Sequence, residues 1–114
     1  MQSCLFCQIV RNELSSRRVY EDGEVLAFHD TMPVAPTHVL VIPKQHLSSF
    51  VSLDEAESSL AGKLLQGVRA TVRALGLEEG GFRIVVNVGE DGGQTVQHLH
   101  FHVLAGRPLA WPPG

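Results

Sequence analysis

Histidine alternates with apolar residues in the stretch Q-H-L-H-F-H-V-L, residues 97–104, and this alternation constrains the fold more than any other feature. Successive side chains of a β-strand point to opposite faces of the sheet. The pattern therefore predicts a strand over residues 98–104 with three histidines on one face, namely His98, His100 and His102. The other face is apolar, and we expect it to pack under a helix: Leu99, Phe101 and Val103.

A candidate for that helix is the amphipathic segment 53–75, where apolar residues recur at steps of four, four, four and three. These positions trace a single helical face: Leu60, Leu64, Val68, Val72 and Leu75. Ser52 and Glu55 have the spacing of a capping box at the start, and Gly76 stands where a helix commonly ends. Gly62 and Gly67 weaken the helix, each by up to about 1 kcal/mol relative to alanine.

Shorter patterns predict the remaining elements. A short helix is expected over residues 5–12, and further strands are expected over residues 17–21, 24–29, 38–43 and 82–88. Asp22-Gly23 is a hairpin turn signal between the first two strands, whereas residues 30–37 contain two prolines and predict a loop. Most of the segments between predicted strands are short enough for hairpins, and few βαβ crossovers are possible. The expectation is therefore one α+β domain over residues 1–114, with about five antiparallel strands, one long helix and a short N-terminal helix.

Composition limits the classes of partner. The net charge is −3 with histidine neutral, and no basic run is present, so nucleic acid is not expected to be a partner. No apolar run approaches the roughly 18–20 residues that span a bilayer, and the first residues lack the pattern of a signal peptide. The expected location is the cytoplasm, without membrane attachment, where Cys4 and Cys7 are reduced.

The histidine row has three interpretations. It is the polar face of a half-buried strand, a metal-binding H-x-H strand, or a row of imidazoles that serves an anionic substrate. The turn D-G-G-Q-T before it, residues 91–95, favours the third, because glycine-rich turns can point N–H groups at an anion. Gln94, Thr95 and Asn87 can add side-chain donors there. Imidazole titrates near neutrality and can act as nucleophile, acid, base or donor.

The two cysteines form a C-x-x-C motif, Cys4-Leu5-Phe6-Cys7, which also has three interpretations. A redox pair usually lies at a strand-to-helix turn of a βαβ unit, and no such unit is predicted here. Two incidental thiols are a second interpretation. The third is half of a zinc site, which needs two more ligands elsewhere in the chain.

The sequence resembles the histidine triad (HIT) family over nearly its whole length. H-L-H-F-H-V-L matches the motif His-Φ-His-Φ-His-Φ-Φ, where Φ is apolar. D-x-x-P-x-A-P-x-H, from Asp30 to His38, and the turn G-G-Q-T-V are similar to further family motifs. The closing W-P-P-G resembles the Hint branch, the histidine triad nucleotide-binding proteins, rather than the dinucleoside polyphosphate hydrolase branch.

The resemblance implies a nucleoside phosphoramidase or purine nucleotidyl hydrolase. His100 is then the catalytic nucleophile, which forms a covalent nucleotidyl-histidine before water releases the nucleoside monophosphate. The implied nucleotide-binding residues are Asp30, Thr31, Asn87, Gly93, Gln94, Thr95, His100 and His102. The implied base slot consists of Leu5, Phe6, Ile9 and Phe28, for which an ordinary core is an equal interpretation. The alternatives are a nucleotide-binding adaptor with little turnover, a dinucleoside polyphosphate hydrolase, or a zinc-binding scaffold.

The resemblance also implies a metal and a partner. Cys4, Cys7, His46 and His98 would form a closed site for a structural zinc ion, and no organic cofactor is expected. As a zinc ligand, His98 could orient the nucleophile only through its other ring nitrogen. His38 either joins that hydrogen-bond chain or is a satisfied core histidine. A homodimer with a continuous ten-stranded sheet is implied, in which Trp111 reaches toward the partner's active site.

Overall fold

Five strands form one antiparallel sheet in the computed structural model of the chain, which describes residues 4–114. The strands are β1 (Arg18–Glu21), β2 (Val25–His29), β3 (Thr37–Pro43), β4 (Arg83–Val85) and β5 (Phe101–Ala105). Their order in the sheet is β1-β2-β3-β5-β4. Two α-helices accompany them, α1 (Leu5–Val10) and α2 (Ser58–Ala74). The predicted fold class is thus confirmed; residues 1–3 of the predicted domain lie outside the described part.

The turn between β1 and β2 is built by Asp22. Its backbone N–H donates to the carbonyl oxygen of Val25, and its carboxylate accepts from the N–H groups of Glu24 and Val25. A side chain that accepts from nearby N–H groups is the usual contribution of aspartate to a turn. The hairpin predicted at Asp22-Gly23 is confirmed.

Each face of the sheet has its own hydrophobic cluster. The helix-side cluster joins the buried face of α2 to the sheet, and its members include Leu60, Leu64, Val68, Val72, Leu99, Phe101 and Val103. The site-side cluster joins α1 to the opposite face: Phe6, Ile9, Leu26, Phe28, Leu40 and Ile42. The predicted alternation around the histidines is confirmed, because their apolar neighbours pack beneath α2.

Helix α2 begins later than predicted. The predicted capping box of Ser52 and Glu55 is wrong, because those residues belong to two short 3₁₀ turns, Phe50–Ser52 and Glu55–Glu57. The first of these turns is capped by the side chain of Ser49, and the second by that of Asp54. The predicted end is confirmed, since Gly76 follows the helix with a φ of 67°.

Two strands are shorter than predicted. The chain leaves β4 after Val85 rather than at residue 88, and β5 begins at Phe101 rather than at residue 98. Val41 of β3 pairs with Phe101, so a longer β5 would place Leu99 opposite Pro43. Proline has no backbone N–H to donate, so the pairing of the two strands does not extend to Leu99. The N–H of Leu99 donates instead to the carbonyl oxygen of Leu47, beyond the end of β3.

Within residues 4–114, none of the helices has the length and apolar character needed to cross a membrane.

Candidate active site and metal site

A cavity of about 590 Å³ lies on the face of the sheet that α1 covers. All four residues of the predicted base slot line it: Leu5, Phe6, Ile9 and Phe28. Asp30, Thr31 and Thr95, three of the predicted nucleotide-binding residues, line it as well. This volume is in the range of cavities that bind small molecules. Such cavities are usually lined by apolar side chains with a few polar groups, as this one is. The fold thus gathers residues from α1, β2 and the turn before β5 around one space.

The ring of His100 is fixed by the residue two positions before it. Its Nδ1 lies 2.7 Å from the backbone carbonyl oxygen of His98. A carbonyl only accepts, so Nδ1 of His100 carries a proton, and in the neutral ring the lone pair is on Nε2. Phe6 packs edge-on against the ring, with the centroids 5.2 Å apart, and only 6% of His100 is exposed. The arrangement can hold an imidazole ready to act as a nucleophile.

A second chain of hydrogen bonds fixes the ring of His102. The N–H of Val34 donates to Nδ1 of His38 at 3.1 Å, so the proton of His38 is on Nε2. That nitrogen lies 2.9 Å from Nδ1 of His102, which therefore accepts. Neutral His102 then carries its own proton on Nε2, where it can donate to an anion. His38 is hydrogen-bonded to His102 and Val34, and not to His98 or His100, so it is not part of the expected chain through His98 to the nucleophile.

Both imidazoles of this chain are held neutral. Burial lowers the pKa of His102 to about 4, and the neighbouring imidazoles of His100 and His38 act in the same direction. Burial also lowers the pKa of His38, against the opposing effect of the Asp30 carboxylate, whose Oδ2 lies 3.4 Å from Nε2 of His38. Near neutral pH the site therefore contains fixed N–H dipoles rather than imidazolium charges.

Side-chain hydrogen bonds to the backbone stabilise the glycine-rich turn. Asn87 Nδ2 donates to the carbonyl oxygen of Gly92, and the Gln94 amide bonds to the backbone of Gly89, Ser48 and Val96. The turn itself needs glycine: a Cβ on Gly92 would lie 2.3 Å from the Val88 oxygen, and Gly93 has a φ of 80°. The side chains of Asn87 and Gln94 thus shape the turn.

Thr95 differs from the other polar residues of the turn. Neither its hydroxyl nor its backbone N–H has a partner among residues 4–114, whereas the N–H groups of Gly93 and Gln94 both donate within the turn. Thr95 also lines the cavity. Among residues 91–95 it is therefore the one that both lines the cavity and has groups free to donate to a ligand.

The four predicted metal ligands converge at the N-terminus of α1. One donor atom from each of Cys4, Cys7, His46 and His98 lies within 4.8 Å of the other three. Nδ1 of His98 is 3.3 Å from the sulfur of Cys4 and 3.6 Å from that of Cys7, and Nδ1 of His46 is 3.3 Å from the sulfur of Cys7. The structure thereby brings together residues separated by up to 94 positions.

These residues fit a tetrahedral zinc ion. With Zn–S near 2.3 Å and Zn–N near 2.0–2.1 Å, the donor atoms of a tetrahedral site are about 3.5 Å apart. His98 Nε2 lies 2.9 Å from the carbonyl oxygen of Pro43 and donates to it, so Nδ1 presents its lone pair to the two sulfurs. Such a carbonyl partner is the usual support of a metal-bound histidine. Without metal, burial and the neighbouring Cys4 raise the pKa of the Cys7 thiol.

One expectation about His98 is wrong in its detail. A metal-bound His98 was expected to be able to orient the nucleophile only through its second ring nitrogen, but that nitrogen donates to Pro43. The backbone carbonyl of His98 orients His100 instead. A main-chain contact of this kind leaves no side-chain signal in a sequence.

Several lining residues of the cavity were not predicted. Leu14, Ser15, Ser16, Met32, Val34, Leu40 and Val96 also contribute to its wall. Among them Ser16 has a buried hydroxyl oxygen without a partner within the described part of the chain. The adjoining Ser15-Ser16 pair before β1 is an ordinary loop sequence, so only the fold identifies it as part of the wall.

Comparison with known proteins places this geometry in context. The family model of the HIT domain matches residues 11–109. An uncharacterized HIT-like protein of Synechococcus elongatus is 48% identical over 113 residues, which are 99% of this chain and 98% of that protein. A 14 kDa zinc-binding protein of Zea mays is 43% identical, over 96% of this chain and 87% of that protein.

A solved structure is also similar. The crystal structure of a HIT family hydrolase from Legionella pneumophila superposes with a TM-score of 0.94 at 44% sequence identity. The similarity covers 98% of this chain and 100% of the Legionella chain. The fold of this chain is therefore similar to one that crystallography has established.

Proposed function

This chain belongs to the HIT domain family, and on that premise we propose that it is a nucleotidyl hydrolase whose nucleophile is His100. The single observation that carries the proposal is the 2.7 Å hydrogen bond from His100 Nδ1 to the His98 carbonyl oxygen, which places the lone pair of the neutral ring on Nε2. The substrate class is a purine nucleoside phosphoramidate or a related nucleotidyl compound. A relative that is a HIT family hydrolase supports the reaction type.

The first step forms a bond between Nε2 of His100 and the α-phosphorus. The bond from phosphorus to the leaving group breaks, and the departing amine takes up a proton from solvent water, which the attack of water in the second step returns. Positive charge spreads over the imidazole as the N–P bond forms, and the His98 carbonyl stabilises it through Nδ1–H. Water then attacks the phosphorus of the nucleotidyl-histidine, which returns neutral His100 and releases the nucleoside monophosphate.

The surrounding donors have divided roles in this proposal. His102 Nε2–H and the free hydroxyl and N–H of Thr95 bind the phosphate oxygens, on which charge develops during transfer. Asp30, with Thr31 beside it, accepts from the ribose hydroxyls. The apolar wall around Phe6 and Phe28 holds the base. Asn87, Gly93 and Gln94 act by keeping the turn in shape.

Zinc is the proposed metal of the site formed by Cys4, Cys7, His46 and His98, and a zinc-binding relative supports it. When bound there with four protein ligands, the ion supplies a cross-link and no open coordination position. The two cysteines flank the first turn of α1, which carries Leu5, Phe6 and Ile9 of the base slot. The proposed metal thus secures one wall of the cavity.

The proposed assembly is a homodimer joined along β4, whose outer edge has no strand partner among residues 4–114. Phe82 and Ile84 expose 41% and 44% of their surface there, beside an apolar groove against α2. A second β4 paired with this edge would give a ten-stranded sheet. Light scattering should show a dimer for the native chain and a monomer for Ile84→Asp. Val51→Asp, which alters an exposed apolar residue elsewhere, should stay dimeric.

Intact-protein mass spectrometry tests the reaction. The chain is mixed with a fluorogenic adenosine phosphoramidate and quenched without acid, which would cleave a phosphorus–nitrogen bond. A transient adduct of one nucleoside monophosphate, with release of amine, is expected. If the chain hydrolyses a dinucleoside polyphosphate but not the phosphoramidate, the result would favour a dinucleoside polyphosphate hydrolase. If it binds adenosine monophosphate without forming an adduct or releasing amine, the result would favour a nucleotide-binding adaptor.

A further inference from the structure

We propose that Arg107 is a positioning residue of the phosphate site. Its guanidinium holds Val34, so that the Val34 N–H stays on His38 and the ring proton of His102 stays on Nε2. The proposal rests on the proposed function, because it concerns the histidine assigned to the phosphate oxygens. It adds a residue that lies outside the cavity and outside the family motifs quoted above.

The backbone of Val34 takes part in two hydrogen bonds. Arg107 Nη2 donates to the Val34 carbonyl oxygen at 3.0 Å, and the Val34 N–H donates to His38 Nδ1 at 3.1 Å. The two groups lie on either side of the Val34 Cα. Val34 is 63% exposed, so burial of its side chain contributes little to its position. Its backbone contacts, with Arg107 on the outside and His38 on the inside, therefore decide where its N–H points.

Arg107 is brought to this place by the end of β5. Gly106 has a φ of 100°, and a Cβ there would lie 2.7 Å from the Cβ of Pro36, so the chain turns closely against the loop that contains Val34. Arg107 follows at once and reaches back along the loop. The same strand therefore carries His102 and, beyond its end, the residue that secures the partner of His102.

The consequence for the histidines follows from proton counting. Each neutral imidazole has one ring proton, so the pair His38 and His102 has two arrangements of its hydrogen bond. With Val34 donating to Nδ1 of His38, His102 presents N–H at Nε2. If His38 Nδ1 instead carries the proton, its Nε2 must accept from Nδ1 of His102. His102 Nε2 then presents a lone pair, which repels a phosphate oxygen.

The only other hydrogen bond that this guanidinium makes with residues 4–114 is to the neighbouring Pro108 carbonyl. Arg107 does not line the cavity around the proposed base slot. The hydrogen-bonded route from Arg107 to the phosphate therefore passes through Val34 and His38, and a variant can break that route without altering the histidines themselves.

Three variants test the proposal. Arg107→Met keeps an unbranched side chain of similar length but has no donor, whereas Arg107→Lys keeps a donor for the Val34 carbonyl. Arg73→Met is the matched control, since Arg73 is exposed on α2 and its ion-pair partner is Glu78. The first readout is a long-range ¹H–¹⁵N correlation spectrum of protein labelled with ¹⁵N-histidine, which identifies the protonated nitrogen of each ring. The second is kcat/KM on the adenosine phosphoramidate, with thermal unfolding alongside.

The native chain should show His38 and His102 protonated on Nε2. Arg107→Met should add a population of His102 protonated on Nδ1 and lower kcat/KM by about tenfold at unchanged unfolding temperature. Arg107→Lys and Arg73→Met should match the native chain in both readouts. A native tautomer pattern in Arg107→Met overturns the proposal, as does Nδ1 protonation of His102 in the native chain. If the His102 tautomer shifts in Arg107→Met but neither the native chain nor any variant hydrolyses the phosphoramidate, the proposed function fails and the positioning role of Arg107 stands.

Discussion

The Nδ1–H of His100 donates to the backbone carbonyl oxygen of His98 at 2.7 Å. His98 thereby takes part in two sites at once. Its side chain turns Nδ1 toward the sulfurs of Cys4 and Cys7, while its main chain orients the ring of the proposed nucleophile. The proposed zinc site and the proposed active site are thus adjacent along the chain but use different atoms of the shared residue.

Replacement of the nucleophile should separate chemistry from binding. His100→Ala removes Nε2 and should lower kcat on an adenosine phosphoramidate by about 10³-fold or more, because no other ring can form the covalent bond. Affinity for adenosine monophosphate, measured by calorimetry, should change by only a few fold, since the cavity wall is intact. Near-native turnover in this variant would exclude the proposed mechanism.

Replacement of both cysteines should affect the metal and the stability more than the chemistry. Cys4→Ser with Cys7→Ser should abolish the zinc content measured by plasma mass spectrometry and lower the free energy of unfolding by about 2 kcal/mol or more. Residual activity should persist, because His100 is oriented by the backbone carbonyl of His98 and not by a side chain that binds the metal. An inactive variant with native zinc content and stability would contradict the structural role of this site.

Acid should destabilise the fold before its carboxylates titrate. The pKa of His102 is lowered from its ordinary value of 6.5 to about 4, and that of His38 is lowered as well. The unfolded chain therefore binds more protons in this interval, so the free energy of unfolding should fall as the pH falls from 6.5 toward 4. Urea unfolding between pH 7 and pH 5 measures this slope. His102→Gln should reduce it, and an equal slope in that variant would rule out this assignment.

The two glycines of α2 should respond oppositely to alanine. A Cβ on Gly67 would lie 2.6 Å from Cγ1 of Val25, whereas a Cβ on Gly62 would meet nothing within 4 Å. Gly67→Ala should therefore cost about 1–3 kcal/mol through overpacking. Gly62→Ala should gain roughly 0.5–1 kcal/mol from helix propensity. The same urea titration compares them, and equal effects would mean that α2 can move away from β2.

The sequence predicted features that depend on local period. The spacing of Leu60, Leu64, Val68 and Val72 identified the buried face of α2, and all four are buried. The alternation of histidine with apolar residues assigned both faces of β5. These predictions succeeded because helix and strand periods are properties of the backbone that a linear pattern reports directly.

Features that depend on approach between distant segments could not be predicted. Gly67 was counted as a cost to the helix, yet its missing side chain admits Val25 from another element. The bond between His38 and His102 spans 64 positions, and the contact of Arg107 with Val34 spans 73. The late start of α2 was missed for a different reason. Ser52 and Glu55 have the spacing of a capping box, but they lie in two 3₁₀ turns that the side chains of Ser49 and Asp54 cap.

The two hydrophobic clusters lie on opposite faces of one sheet. The helix-side cluster shares no residue with the wall of the cavity, and its members Val25, Val39 and Val41 are fully buried. Variation in the residues around the cavity is therefore buffered: a lineage can exchange the lining of the base slot, and with it the molecules it accepts, while the opposite face keeps the scaffold folded. An engineer who wishes to change specificity has the same freedom, and should leave α2 untouched.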